Sequence, residues 1–274
     1  MSTLTPPDIA ARDLGRAEDA AAAVSDRRSR LLRVWGMPVF VGLALAGNFL
    51  WVSSLELDSI ERRSLAPSNL WGAVQQHLWL TLLSTVFVLL IAIPLGILTT
   101  RPRYQRLTPL VIGLGNAGQA IPSIGMLGLV FFLAPSVPFI PRTGTTPAVI
   151  GLVAYSFLAI LRNTMVGLQQ VDGSILEAGR GMGMSTGRVL RRIELPLAVP
   201  VILAGVRTAL VLNVGTATLA YFIGGGGLGD IIITGVGLRR APILWTGAIL
   251  TASLALMVDY LAARVEEKLT PKGL

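Results

Sequence analysis

Few side chains in this 274-residue sequence could do chemistry, and their types exclude more than they permit. Without cysteine there is no thiol nucleophile, no disulfide and no thiolate metal site. The single histidine, His77, cannot build a multi-histidine metal centre, so no metal site is expected. One stretch, Gly224 to Asp230 (G-G-G-G-L-G-D), looks at first like a phosphate cradle, but the Lys-Ser/Thr that completes such a loop is missing. Gly224, Gly225, Gly226, Gly227 and Gly229 read instead as a gating or hinge loop, because glycine permits close backbone approach and movement. No catalytic constellation emerges, and the chain is not expected to be an enzyme or to hydrolyse ATP by itself.

What remains is a set of polar groups embedded in apolar runs, where each costs free energy unless it finds a partner or water. Asn116, Gln119 and Ser123, beside Pro122, lie on one such run; Asn213, Thr216 and Thr218 lie on another. As a group they suggest a polar translocation pathway. Singly, each is better explained by helix–helix hydrogen bonding worth about 1 kcal/mol or less. Arg162, Arg207 and Asp259 sit near the inner ends of their runs, and Arg207 with Asp259 is expected to form a structural ion pair. His77, at the entrance to a run, reads as a cap or packing residue. Aromatic residues within the runs are few (Phe87, Phe131, Phe132, Tyr155, Phe157), so an aromatic cage for a quaternary ammonium group is not expected within this chain.

The elements that hold these groups follow from composition. Hydrophobic residues make up 53% of the chain and charged residues only 14%, against about 25% charged in soluble domains. This is an all-α polytopic membrane protein with six expected transmembrane helices: 35–52, 78–99, 107–134, 147–167, 199–223 and 242–263. The third run is too long for one perpendicular helix and too short for two, so one crossing broken near Ile121-Pro122-Ser123 is expected. The net charge of +8 would suggest nucleic acid in a soluble protein, but here it follows topology. Of 23 basic residues, only Arg62, Arg63, Arg142, Arg239 and Arg240 fall in segments read as external (53–77, 135–146, 224–241), and Arg207 falls within a span. That bias places both termini in the cytoplasm. Residues 1–33, too long and too acidic for a cleavable signal peptide, read as a cytoplasmic N-terminal tail.

One insert breaks the apolar second half. Residues 172–196 read as two short helices joined by glycine, on the cytoplasmic side. Ser174 and Glu177 have capping-box spacing, which predicts a helix start near Ile175. Gly181 and Gly183 can end that helix. Ser185 or Thr186 would cap a second helix carrying Val189, Leu190 and Ile193, which Pro196 is expected to end.

The spacing Glu177-Ala178-Gly179, three residues, Gly183, nine residues, Ile193-Glu194-Leu195-Pro196 follows the pattern E-A-A-x3-G-x9-I-x-L-P. It resembles the signature loop of permeases in binding-protein-dependent ATP-binding-cassette importers, with Gly179 in place of alanine, a departure expected to leave the helix less stiff. Gln119–Ser123, Leu161–Thr164, Glu177–Met184, Gly215–Thr218 and Ile223–Asp230 further resemble the glycine betaine/carnitine/choline (osmoprotectant) branch. The resemblance implies a division into the tail 1–33, an extra N-terminal span 34–52, a permease core 75–265 and a cytoplasmic C-terminal tail 266–274. It implies a second permease copy, two cytoplasmic ATPases that carry ATP and Mg, and an extracytoplasmic substrate-binding protein, with no cofactor in this chain. Glu177, Ala178, Gly179, Gly183, Ile193, Leu195 and Pro196 would couple the spans to the ATPase, with Ile175, Leu176, Met182 and Met184 presented to its groove. The lipid bilayer is the other partner, and no nucleic acid is expected. Another class, an ion-driven secondary transporter, would need a buried carboxylate or inverted repeats; within the importer class, ergothioneine or an amino acid are further substrates to weigh.

Overall fold

In the computed structural model, which describes residues 34–269, the apolar runs become helices throughout. The tail expected over 1–33 lies outside the described residues, as do residues 270–274. The first helix, α1, spans Val34–Ser53. It is followed by α2 (Ser59–Ser64), α3 (Pro67–Thr99), α4 (Thr108–Ala120), α5 (Ser123–Leu133) and α6 (Thr145–Gln169). Then come α7 (Gly173–Gly181), α8 (Thr186–Val189), α9 (Leu195–Ala217), α10 (Leu228–Gly237) and α11 (Ala241–Leu269). Proline in the first turn starts α3 and α4, where its missing N–H costs little.

α6 is the hub against which α3, α4, α5 and α9 pack. Small residues let the backbones approach: Gly96 of α3 faces Thr164, Gly167 faces Ala198 of α9, and Gly205 of α9 lies on Asn163. α1 lies against α11, with Asn48 Nδ2 donating to Thr246 Oγ1 at 3.3 Å and Tyr260 donating to the Val34 carbonyl at 2.6 Å.

These contacts settle the parity of the broken third span. Gln76 near the start of α3 reaches Thr145 at the start of α6, whereas Gly96 near the end of α3 meets Thr164 near the end of α6. Both helices therefore run the same way, and the chain between them makes one net passage. α4 climbs α6, Gly115 meeting Leu158 and Gly118 meeting Ala154, and α5 then turns aside, with Leu127 against Gly151. The bend is 107° and falls at Ile121-Pro122. Pro122 has no N–H to continue the ladder and forces Ile121 to an extended ψ of 127°.

The structure corrects several boundaries. The connection expected over 53–77 contains α2 and the first turns of α3, which begins at Pro67 rather than Leu78. Asp58 and Glu61 close a capping box that starts α2, an element not expected in this connection. The glycine-rich connection 224–241 contains α10, a short apolar helix. The fifth span leaves α-geometry at Thr218 for a 3-10 segment ending at Ile223. α11 continues through 266 to Leu269, so the expected C-terminal tail begins as helix.

Candidate functional site

Residues 172–196 form a capped hairpin between α6 and α9. Asp172, not Ser174, caps α7: its carboxylate accepts from the Ser174 amide at 2.8 Å, and that bond holds the carboxyl below the usual range. The helix therefore starts at Gly173 and Glu177 is left exposed, so the expected Ser174–Glu177 box does not form. The closing glycine behaves as anticipated. Gly183 has φ +81°, its amide donates to the Arg180 carbonyl, and the Met184 amide donates to the Gly179 carbonyl. This is a Schellman closure, which needs a left-handed residue at Gly183.

The second half differs from expectation. Ser185 sits at the N-cap position of α8 without a side-chain cap bond. Pro196 does not end the helix. The chain passes through a π-helical stretch, Leu190–Glu194, directly into α9, which has Pro196 in its first turn. The wider π turn accommodates the proline ring, which would otherwise press on the carbonyl four residues back. Gly179 also gains a role beyond flexibility, since a Cβ there would stand 2.6 Å from Ile193 Cδ1. α7 thus lies directly on the second helix. Of the four apolar residues expected to face a partner, Ile175 (45% exposed) and Met182 (71% exposed) do so, and Leu176 and Met184 are half-buried.

Behind the hairpin stand two charged clusters. Glu194, buried in the π stretch, accepts both arms of the Arg101 guanidinium. In the sequence Arg101 is legible only as one of the basic residues that mark the inner side; the available hint of its partner is a lone acid between Ile193 and Leu195 in an otherwise basic strip. Arg207 donates from Nε and from its second terminal nitrogen (2.7 Å) to the two oxygens of Asp259, with Glu266 at 4.0 Å, as expected for that pair. A double-mutant cycle with Arg207→Ala and Asp259→Ala should return a coupling energy of about 0.5–1 kcal/mol in unfolding measurements, because the pair is bidentate yet partly solvated. Additive losses would mean no pairing.

The candidate pathway residues fall in two places. Asn116, exposed on α4, accepts from Arg162 at 2.8 Å, and Gln119 is exposed beside the break at Pro122 and half-buried Ser123. Asn213 is fully buried in the seam between α9 and α3, donating to Thr85 Oγ1 at 3.2 Å. Thr216 and Thr218 donate to the carbonyls of Leu212 and Gly215 on their own chain segment. Among the described residues no hydrogen bond joins the α4–α5 set to the α9 set. An open, mostly apolar groove of about 730 Å³ runs between α3, α4 and α6, with Phe87 and Phe157 in its lining.

At the end opposite the hairpin, the glycine loop is tightly fitted. Gly224, Gly226 and Gly227 take positive φ, and Gly225 hydrogen-bonds back to the Ala220 carbonyl. A Cβ on Gly229 would stand 1.9 Å from the Thr218 carbonyl oxygen. His77 is fully buried beneath this loop. Its Nε2 lies 2.9 Å from the Val214 carbonyl, and its Nδ1 accepts from the Leu228 amide at 3.3 Å. Because a carbonyl only accepts and an amide only donates, the ring is neutral with its proton on Nε2. Beside it a polar cavity of about 440 Å³ opens between Asn69, Gln76, Gly226 and Asp230.

Comparison with known proteins agrees with this geometry. Residues 92–271 match the family described as binding-protein-dependent transport system inner membrane component. The glycine betaine/carnitine/choline transport system permease protein OpuCB of Bacillus subtilis (strain 168) is 41% identical over 201 residues, 73% of this chain and 88% of that protein. The osmoprotectant import permease protein OsmY of Salmonella typhimurium (strain LT2) is 38% identical over 241 residues, 88% of this chain and 97% of that protein. Among solved structures, a chain of the inward-facing MetNI methionine ABC transporter superposes with a TM-score of 0.67 at 24% identity, covering 74% of this chain and 96% of that one. At that identity the likeness shows a shared fold.

Proposed function

We propose, from the premise that this chain belongs to the binding-protein-dependent transport system inner membrane components, that it is the permease subunit of an ATP-driven importer for a compatible solute of the glycine betaine, choline or carnitine class. It is a multi-pass protein of the bacterial cytoplasmic membrane and acts as a transport subunit, not as an enzyme. One observation carries the substrate class: relatives named for these solutes match almost their whole length at about 40% identity. The same solutes are zwitterionic or cationic.

In this reading the hairpin end faces the cytoplasm and α7 enters a groove of a partner ATPase. Exposed Ile175 and Met182 supply apolar anchors, with Glu177 and Arg180 at the rim. Gly183 fixes the turn, Ile193 seats α7 through Gly179, and Leu195 and Pro196 form the first turn of α9. ATP and Mg belong to the partner, two copies of which would serve two permeases. Closure of the ATPases would displace the hairpins and rock the spans, giving alternating access. Asn116, Gln119, Ser123, Thr216 and Thr218 are the polar groups we assign to the pathway, Pro122 providing the break; the buried Asn213 joins it only if α9 moves. The fitted glycine loop at the far end, Gly224 to Gly229, would face the binding protein.

The test is reconstitution with the cognate ATPase and binding protein in proteoliposomes, with labelled choline, glycine betaine and carnitine offered in turn. ATP-dependent uptake of at least one, and co-purification of the ATPase with the permease, are expected. Uptake driven by an ion gradient without ATP would instead support a secondary transporter.

A further inference from the structure

Glu194 is the one buried charged side chain of the hairpin, and its partner comes from a different span. Arg101 follows α3 directly, with its amide bonded to the Leu98 carbonyl and its Nε donating to the Ile97 carbonyl at 3.3 Å. The two arms of its fork meet the two oxygens of Glu194 at 3.1 and 2.5 Å. Ile97, Leu190 and Leu195, chain neighbours of the pair, pack on the apolar cluster of Leu168, Ala198 and Ile202. With Glu194 buried and Arg101 half-buried, the pair is a poor source of stability, since desolvation cancels much of its attraction. Its geometric consequence is stronger: Arg101 cannot leave Glu194 without stranding a buried carboxylate charge.

The route into this pair starts at α7, which packs on α8 and the π stretch. Gly179 of α7 touches Ile193, the residue next to Glu194. From Arg101 the route continues along α3. Near its other end Gln76 donates to the Gly225 carbonyl at 3.0 Å and His77 accepts from the Leu228 amide. At 1.5 Å per residue, α3 carries the two sites roughly 36 Å apart.

We propose that Arg101 and Glu194 form the clasp through which displacement of the hairpin enters α3 and reaches the glycine loop. Both are positioning residues, acting through the helices they join. The proposal rests on the hairpin being the ATPase contact, and it adds which span receives the motion and by which atoms.

The experiment uses the full permease–ATPase–binding protein complex in proteoliposomes, with uptake and ATP hydrolysis read in parallel. Glu194→Gln and Arg101→Gln are expected to lower uptake at least about tenfold while hydrolysis stays within about twofold and its KM for ATP does not move. Arg101→Lys keeps the charge but loses the fork, so an intermediate loss of about threefold is expected. Should the glutamine variants fail to assemble, the lysine variant carries the test alone. Unchanged uptake in the assembled variants would overturn the clasp. So would uptake and hydrolysis falling together, in proportion to the amount of complex. Absence of ATP-dependent uptake in the unaltered complex would remove the proposed function first and the clasp with it, a result visible without any variant.

Discussion

Gly229→Ala should destabilise this protein more than any other single methyl addition near the glycine loop. The added carbon would stand 1.9 Å from the Thr218 carbonyl oxygen and 2.8 Å from its carbon. The obstacle is backbone, so no rotamer change relieves it. α10 would have to lift from the 3-10 segment Thr218–Ile223, and His77 would lose its bond to the Leu228 amide. Overpacking of side chains costs about 1–3 kcal/mol, and a clash with main chain belongs at or above the top of that range. Gly237→Ala is the matched control at the other end of the same helix, where nothing lies within 4 Å. It should stay within about 0.5 kcal/mol of the parent. Thermal unfolding in detergent and the amount of protein recovered from membranes both read the difference. Equal melting of the two variants would mean that α10 does not sit on Thr218.

Gly183→Pro should have the largest effect on transport with the least on insertion. The native φ of +81° is closed to proline, whose ring holds φ near −65°. The substitution also deletes the amide that donates to the Arg180 carbonyl. α7 would then lose its closure and leave its place on Ile193, while the spans behind it remain packed. On the coupling role proposed for the hairpin, uptake should fall by more than about tenfold with ATP hydrolysis retained. Gly183→Asn, which tolerates the left-handed region, should remain near the parent. Full uptake by the proline variant would remove the hairpin from the coupling path.

Much of this was legible because the bilayer leaves so few options. A run such as 78–99, apolar on every face, can only be a helix in lipid. Pro122 announced the break in the third span, and the sparse external arginines gave the parity. The stretch from Glu177 to Pro196 was legible as two short helices from its caps and glycines, and as a coupling loop only through its resemblance to the signature loop of binding-protein-dependent permeases. Helix ends were less legible. Asp172 and Ser174 are both good caps, and only backbone geometry chooses between them. The fate of Pro196 turned on a π stretch, which has no sequence signature of its own. α10 went unread because its apolar residues followed a glycine run that looked like a loop.

By itself, the sequence determined an all-helical membrane protein, a third span broken at Pro122 and a polar hairpin on the arginine-rich side. Those conclusions depend on composition and on local spacing, which no packing can alter. Tertiary structure alone decided which polar groups meet. Arg101 finds Glu194 across 93 residues and His77 finds Leu228 across 151, and Asn213 turns into the α3 seam instead of joining Asn116. Such pairings depend on how helices cross around α6, where Gly96, Gly167 and Gly205 set the distances. A crossing is a property of two surfaces at once, so neither segment encodes it alone.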